Sequence, residues 1–182
     1  MAEAAFVHEI DITTSPQRLW TALTAGTLTR FYWFDLRIES DWRVGSPVAL
    51  YDGASDVLVA EGPIEESTPV RRLCYGLRQH PADGGPAEQP YGRVAFDLAP
   101  RDDGRVRLRL THDRFAGPDE EAAWAARWTA VLANLRAFLE GERLPVTEPP
   151  AGLRPVPVVP ATVSAITSTA PPARVRAAVP QP

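Results

Sequence analysis

One long amphipathic segment, residues 119–140, constrains the fold of this chain more than any other feature. Apolar side chains recur through it at spacings of three and four residues, at Trp124, Trp128, Val131, Leu132, Leu135 and Leu139. Acidic residues at its start suit the positive end of a helix dipole, and Gly141 supplies the stop. The pattern predicts a helix of about 22 residues whose single apolar stripe must be buried against another element.

The first part of the chain carries signals for one strand followed by two short helices. Alternating apolar residues predict a strand over residues 6–12. Ser15 can cap a helix that starts with Pro16, because proline at the first helical position gives up no hydrogen bond. We expect this helix to turn three side chains inward, those of Leu19, Trp20 and Leu23. Gly26 is expected to end it, and Thr27 to cap the second helix.

The middle of the chain carries strand signals separated by turns, over residues 34–98 and again over residues 105–112. Turn-forming residues cluster at 41–47, 52–56 and 80–90, and the Asp103-Gly104 pair suits a hairpin. After this pair, apolar residues at 106, 108 and 110 alternate with arginines at 105, 107 and 109, which indicates one buried and one wet face. Together with the helices, this order predicts an α+β domain, in which a curved antiparallel sheet of six to seven strands packs on the long helix.

Composition divides the 182 residues into a globular part and a tail. Ten of the 19 prolines fall within residues 145–182, mixed with small residues and without a helical or strand period. Such a segment cannot bury enough apolar surface to offset its ordering entropy. We therefore predict one folded domain over residues 1–144 and a Pro/Ala-rich disordered tail over residues 145–182. A docking peptide within the tail is the alternative.

Charge and cysteine content bear on the partners and the location of the protein. The net charge is −4, and we expect no nucleic-acid partner, because affinity for phosphate backbones needs clustered positive charge. No stretch approaches the ~18 consecutive apolar residues of a membrane span, and no secretion signal is expected. Cys74 is the single cysteine, which fits a reducing cytoplasm. We expect a cytoplasmic protein with no membrane contact and no cofactor.

Six strings resemble, in their order and spacing, those of the START-like SRPBCC superfamily, and within it the activators of the ninety-kilodalton heat-shock-protein ATPase. They are TSPQRLWTALT (14–24), FYWF (31–34), SDWRVGSP (40–47), EGPIEESTPVRR (61–72), LTHDRF (110–115) and WTAVLANLRAFLEGE (128–142). The resemblance spans nearly all of residues 6–144. It implies a helix-grip fold with a cavity between sheet and terminal helix. It implies no single reaction, since relatives include lipid carriers, plant hormone receptors, polyketide cyclases and a co-chaperone domain.

An aromatic set is the main functional signal, comprising Trp20, Phe31, Trp33, Phe34, Trp42, Tyr51, Tyr75, Phe96, Trp124 and Trp128. Cavities for small molecules are mostly apolar and aromatic. We expect a small apolar ligand between sheet and helix, held by Trp33, Tyr75, Phe96, Leu110, His112, Trp124, Trp128 and Leu132. Plain core packing is the alternative, and we favour it for Trp20, because burying one such ring yields roughly 1.5–3 kcal/mol with or without a ligand.

His112 is the weak catalytic candidate. It ends the dry face of its strand within reach of Trp124 and Trp128, where it could orient a ligand or act as an acid or base. The alternative is a structural histidine bonded to backbone or tyrosine. An enzyme of the polyketide-cyclase or hydrolase kind would use His112 together with Tyr75. A third hypothesis is a protein-interaction role, either with a chaperone ATPase or through the tail.

The other reactive side chains form no recognisable motif. His8, His80 and His112 are too far apart in sequence for metal-ligand spacing, and no nucleophile elbow or phosphate loop is present. Cys74 is expected to be an inert thiol. The arginines at 105, 107 and 109 are expected to form a solvated face, paired with neighbours such as Asp97.

Overall fold

The computed structural model of the protein describes residues 5–81 and 89–150. Within these residues the predicted α+β order is confirmed. The elements, in chain order, are β1 (Ala5–Ile12), α1 (Pro16–Thr24), α2 (Gly26–Tyr32), β2 (Leu36–Glu39), β3 (Pro47–Asp52), β4 (Leu58–Thr68), β5 (Arg72–Gln79), β6 (Gly92–Pro100), β7 (Val106–Asp113) and α3 (Pro118–Glu140).

The seven described strands form a single antiparallel sheet in the order β1-β7-β6-β5-β4-β3-β2. Strands β2 to β7 follow one another across the sheet as in a meander. Strand β1 is added beside β7, with Ala5 opposite Asp113 and Ile12 opposite Val106. The prediction of six to seven strands is confirmed, and the open sheet curves as in a helix-grip fold.

Strand β7 has the predicted dry and wet faces. Val106, Leu108 and Leu110 are buried. On the other face, Arg107 Nη2 lies 3.0 Å from the Asp11 carboxylate. The β6–β7 hairpin turns at Gly104, whose φ of +78° is a left-handed conformation that glycine adopts without strain.

The expected partnership between this arginine face and Asp97 is wrong. Asp97 forms an ion pair with Arg72 of β5, which lies directly opposite it in the register of β5 and β6. Arg109 instead approaches Glu9 of β1, with 3.7 Å between Nε and Oε1. On this face, ion pairs thus join β5 to β6 and β7 to β1.

The first helix begins as predicted, but the second does not. The Ser15 hydroxyl accepts a hydrogen bond from the Arg18 amide at 3.2 Å, and Pro16 is the first helical residue. Gly26 does not end α1, because Ala25 forms that boundary and Gly26 is the first residue of α2. Thr27 makes no cap. Glycine is needed at 26 because a Cβ there would lie 2.4 Å from the Ile38 carbonyl oxygen.

Helix α3 presents its apolar stripe to the sheet and to α2, as the pattern predicts. All six stripe residues, Trp124, Trp128, Val131, Leu132, Leu135 and Leu139, are buried. Gly141 ends the helix at φ +74°, and the Glu142 amide donates to the Ala137 carbonyl at 2.8 Å. This left-handed cap reverses the chain so that the following residues run back along the helix.

The segment after α3 is fastened to the helix by Asn134, whose side chain is buried. Asn134 Oδ1 accepts from the Val146 amide at 3.0 Å, and Asn134 Nδ2 donates to the Val146 carbonyl at 2.7 Å. Nδ2 also lies 3.3 Å from the Tyr32 carbonyl at the end of α2. The predicted domain boundary at residue 144 remains a prediction, and residues 151–182 of the predicted tail lie outside the described residues.

Strands β4 and β5 come very close beside Gly62 of β4 and Gly76 of β5. A Cβ on Gly62 would lie only 1.9 Å from the Gly76 carbonyl oxygen. The register of the two strands also shifts between Ile64 and Glu66, a β-bulge that bends the sheet. The approach of two backbones at this point leaves no room for a side chain.

Replacing Gly62 by alanine should therefore lower the free energy of unfolding by about 1–3 kcal/mol, since the two strands must separate to admit a methyl group. Urea unfolding followed by tryptophan fluorescence measures the change. Gly117→Ala is the matched control, because no atom lies within 4 Å of a Cβ there and its φ of 179° is extended backbone. An equal loss in both variants would contradict this account.

Candidate functional site

The eight residues predicted to hold a ligand come together between the sheet and α3. Each of them is 0 to 4% exposed. The concave face supplies Tyr75 from β5, Phe96 from β6, and Leu110 and His112 from β7, while Trp124, Trp128 and Leu132 come from α3 and Trp33 from the end of α2. The β6–β7 register places Phe96 opposite Leu110, which sets two neighbouring apolar side chains beneath the helix.

Trp128 lies at the centre of this cluster. Its ring centroid is 5.2 Å from that of Trp33, 5.8 Å from that of Phe96 and 5.7 Å from that of Trp124. Tyr75 joins through Phe96, with 6.1 Å between the two centroids. These are the tilted, edge-on and stacked contacts that aromatic pairs favour, so the rings form one packed unit.

The side chains in this cluster pack against one another rather than around one of the described pockets. Among the pockets lined by described residues, four lie elsewhere on the domain, and none of the eight predicted residues lines any of these four. Because each of the eight side chains is at most 4% exposed, a ligand between sheet and helix has to displace some of them. The assignment of the eight residues to a ligand remains a prediction.

His112 is held as a neutral acceptor for the central tryptophan. Its Nδ1 accepts a hydrogen bond from Trp128 Nε1 at 2.9 Å, so the partner is an indole rather than backbone or tyrosine. Burial lowers the pKa of His112 from 6.5 to about 3. At neutral pH the ring is uncharged, and the proton must reside on Nε2 because Nδ1 is the acceptor. A Cβ on Gly92 would lie 2.6 Å from Nε2, so glycine there leaves room for the ring.

Tyr75 has an unusual environment for a tyrosine. Its side chain is 1% exposed, yet its hydroxyl has no hydrogen-bond partner among the described residues. Burial also raises its pKa well above the ordinary value of 10. Tyr32 is equally buried, but its hydroxyl has a partner, as is usual for a buried donor: it donates a hydrogen bond to the Ala22 carbonyl at 2.9 Å. Leaving a buried hydroxyl unpaired costs about 1–3 kcal/mol, so this atom requires an explanation.

Sequence reasoning missed Arg127, which forms a polar rim beside the cluster. Its guanidinium lies 4.8 Å from the Trp124 ring centroid, and Nη1 donates to Gln79 Oε1 at 2.8 Å. Burial lowers the pKa of this arginine. Its position next to the apolar stripe was the only signal, since Trp124 and Arg127 are three residues apart on one helix.

The other candidate side chains lie outside the cluster. His80 Nε2 is 3.3 Å from Glu61 Oε1, and the His8 ring lies beside Phe6 on β1. Burial, followed by the nearby Glu65 carboxylate, raises the pKa of the Cys74 thiol to about 11, so the thiol is protonated at neutral pH. No cluster of metal-ligating side chains occurs within the described residues. None of the described helices is both long and apolar enough to cross a membrane.

The depressed pKa of His112 predicts a specific acid sensitivity. The unfolded chain binds a proton here below about pH 6.5, whereas the folded chain binds one only below about pH 3. Stability from this residue is therefore complete above pH 6.5 and is lost as the pH falls toward 3, by up to about 1.4 kcal/mol per pH unit.

His112→Asn removes this titration while keeping an oxygen acceptor for the Trp128 indole. Between pH 7 and pH 4.5 the free energy of unfolding of the wild type should fall by roughly 2 kcal/mol more than that of the variant. Urea unfolding at each pH measures both, and the comparison cancels the contribution of carboxylates. If the difference in free energy of unfolding between the two proteins did not change with pH, His112 would have the same pKa in the folded and the unfolded chain.

Solved structures with the same fold come from several organisms. The Aha1 dimer from Colwellia psychrerythraea is 20% identical, with 75% of this chain and 96% of that chain covered and a TM-score of 0.60. An HSP90 activator from Plasmodium falciparum is 18% identical, with coverages of 75% and 96% and a TM-score of 0.62. CalU16 from Micromonospora echinospora is 18% identical, with coverages of 74% and 75% and a TM-score of 0.60. At these identities the similarity shows the fold alone.

Sequence comparison identifies the family directly. No curated protein matches the chain. A family model described as "Activator of Hsp90 ATPase homolog 1-like protein" matches residues 13–140, which is well over half of the chain and includes every described helix and every described strand but β1. The match agrees with the resemblance carried by the six sequence strings and with the helix-grip fold. The chain therefore belongs to the family of Activator of Hsp90 ATPase homolog 1-like proteins.

Proposed function

We propose that this domain binds a small, largely apolar molecule between the sheet and α3, and that the ligand carries a hydrogen-bond acceptor for Tyr75. The observation that carries the proposal is the Tyr75 hydroxyl, which is fully buried among aromatic rings without a partner among the described residues. A hydroxyl can donate one hydrogen bond. A bound carbonyl, ether or hydroxyl oxygen would satisfy it, and the surrounding rings would hold the apolar body.

The packed rings set an energetic condition on this binding. Each aromatic contact contributes about 0.5–1.5 kcal/mol beyond burial of area, so parting the contacts that Trp33 and Phe96 make with Trp128 costs a few kcal/mol. A flat aromatic ligand replaces such contacts with equivalent ones, whereas an aliphatic ligand does not. The observed affinity equals the affinity of the open form multiplied by the fraction of molecules that are open. The proposal therefore favours an aromatic ligand.

The proposed roles of Tyr75 and His112 are to position a ligand. Burial keeps the imidazole neutral at physiological pH and its Nδ1 is occupied by Trp128, while burial also keeps the Tyr75 phenol protonated. A polyketide-cyclase or hydrolase reaction would need one of these groups to exchange a proton with the substrate. The hydrogen bond from Trp128 to His112 instead supports a role in holding the central ring in place.

Tyr75→Phe separates the hydroxyl from the rest of the ring. Because the hydroxyl is unpaired, its removal should leave the free energy of unfolding unchanged or raise it by up to about 1–2 kcal/mol. The same change should weaken binding of an aromatic ketone such as 2-acetylnaphthalene by about fivefold to tenfold, as expected for loss of one hydrogen bond. Quenching of tryptophan emission measures the affinity.

The matched ligand is 2-ethylnaphthalene, which has the same shape but no acceptor and should bind wild type and Tyr75→Phe equally. A destabilised Tyr75→Phe protein would show that the hydroxyl is satisfied in the free protein. Absence of binding by both naphthalenes at high micromolar concentration would count against the ligand site as a whole.

A second candidate function is stimulation of the ninety-kilodalton chaperone ATPase. It is supported by membership of the family and by two structures of the same fold, named as Aha1 and as an HSP90 activator. Such a role would use the surface of the domain and not the buried rings. It is compatible with the cytoplasmic location predicted from the sequence.

The chaperone hypothesis predicts at least a twofold increase in the ATPase rate of the chaperone at saturating concentrations of this protein. The rate that resists a specific chaperone inhibitor gives the background. Tyr75→Phe should stimulate as well as wild type, because the Tyr75 ring is buried. An unchanged rate with chaperones of the same cellular compartment would remove this function and leave the ligand site untouched.

A further inference from the structure

The chain leaves the domain at a fixed point on α3. Asn134 binds both the amide and the carbonyl of Val146, and Pro149 and Pro150 are still half-buried at the end of the described part. The two hydrogen bonds between a side-chain amide and one backbone residue fix the position of that residue. Val146 is therefore held at a defined place beside α3 and the end of α2.

An aromatic pair with one exposed ring lies close to this exit point. Phe31 of α2 is 62% exposed and stacks on Phe138 of α3, with 5.7 Å between centroids and 7° between ring planes. Phe138 lies four residues after Asn134, about 6 Å along the same face of the helix. The second face of the Phe31 ring is left to solvent, although a large apolar ring is usually covered.

We propose that residues 155–160 of the same chain dock on this Phe31/Phe138 pair. The segment reads Pro-Val-Pro-Val-Val-Pro. Proline-rich segments favour the polyproline II conformation, which loses little entropy on binding, and aromatic side chains are the surfaces that recognise it. Proline rings would stack on the exposed face of Phe31, and valines would cover the edge of the pair.

Geometry and charge favour docking within one chain. Eight residues lie between Val146 and Pro155, and the nine steps from one to the other can span up to about 30 Å, so the pair lies within reach. A short flexible linker gives an effective concentration in the millimolar range, so even a millimolar contact would be half occupied in cis. Residues 145–182 carry three arginines and a single acid, whereas residues 1–144 carry a net charge of −6, which draws the tail toward the domain.

Photo-crosslinking of the full-length chain tests the proposal. Phe31→p-benzoylphenylalanine places a photoreactive ring at the site, and irradiation at low micromolar concentration should yield a monomeric product whose fragment masses locate the crosslink within residues 155–160. The matched control places the same group at Val44, which is similarly exposed at 66%. It should give at most one fifth of the yield on this segment.

A second variant tests the same contact from the side of the tail. Replacing the three valines Val156, Val158 and Val159 by serine should lower the crosslinking yield from position 31 at least threefold, while circular dichroism confirms an unchanged fold. Crosslinks mainly between two copies would overturn docking in cis and favour a second chain as the occupant. Equal yields from positions 31 and 44, or no crosslink to the tail, would also overturn it.

Discussion

Burial of Trp128 between α3 and the sheet is the interaction on which the rest of the structure depends. The indole brings a large apolar surface and one N–H donor, and both must be accommodated in the interior. Rings of Trp33, Phe96 and Trp124 cover the surface, and His112 Nδ1 accepts from the N–H. That acceptor exists only while the imidazole is neutral, and the same burial keeps it neutral. Helix position, protonation state and strand register are thus mutually dependent.

Much of this fold could be predicted from the sequence because it follows from periodicity. The stripe of α3, the alternation of β7 and the cap at Ser15 are each set by residues a few positions apart, and the structure confirms them. Gly26 shows the limit of local reasoning. Its role depends on the Ile38 carbonyl, which approaches from another element, so a glycine that resembled a helix stop is a helix start.

The contents of the interior could be predicted only as a list of residues. Of the ten aromatic residues singled out in the sequence, Trp33, Tyr75, Phe96, Trp124 and Trp128 are buried, whereas Phe31 is exposed. Whether such rings leave a cavity or fill one depends on how their volumes fit together, and no sequence period encodes that fit. The partner of His112 is sixteen residues away on another element, and the isolation of the Tyr75 hydroxyl depends on every neighbour at once. In most proteins nearly every buried polar group has a hydrogen-bond partner, and exceptions are often found at functional sites. The unpaired Tyr75 hydroxyl is therefore the place to look for a function.

Under the proposed function, a ligand enters where a ring of the cluster is most easily displaced, and this depends on the contacts that each ring makes. Trp128 and the strands are fixed by the His112 bond and by the continuous sheet, whereas Trp33 lies at the end of the seven-residue helix α2. The next two residues, Phe34 and Asp35, both have positive φ, at 50° and 64°, a conformation that costs a residue with a side chain about 1–2 kcal/mol. The tie from Asn134 to the end of α2 is long, at 3.3 Å. Within the described residues the Trp33 ring contacts one ring of the cluster, that of Trp128, whereas Trp128 contacts several. A ligand that reaches Tyr75 therefore displaces the Trp33 side chain and does not part the sheet from α3.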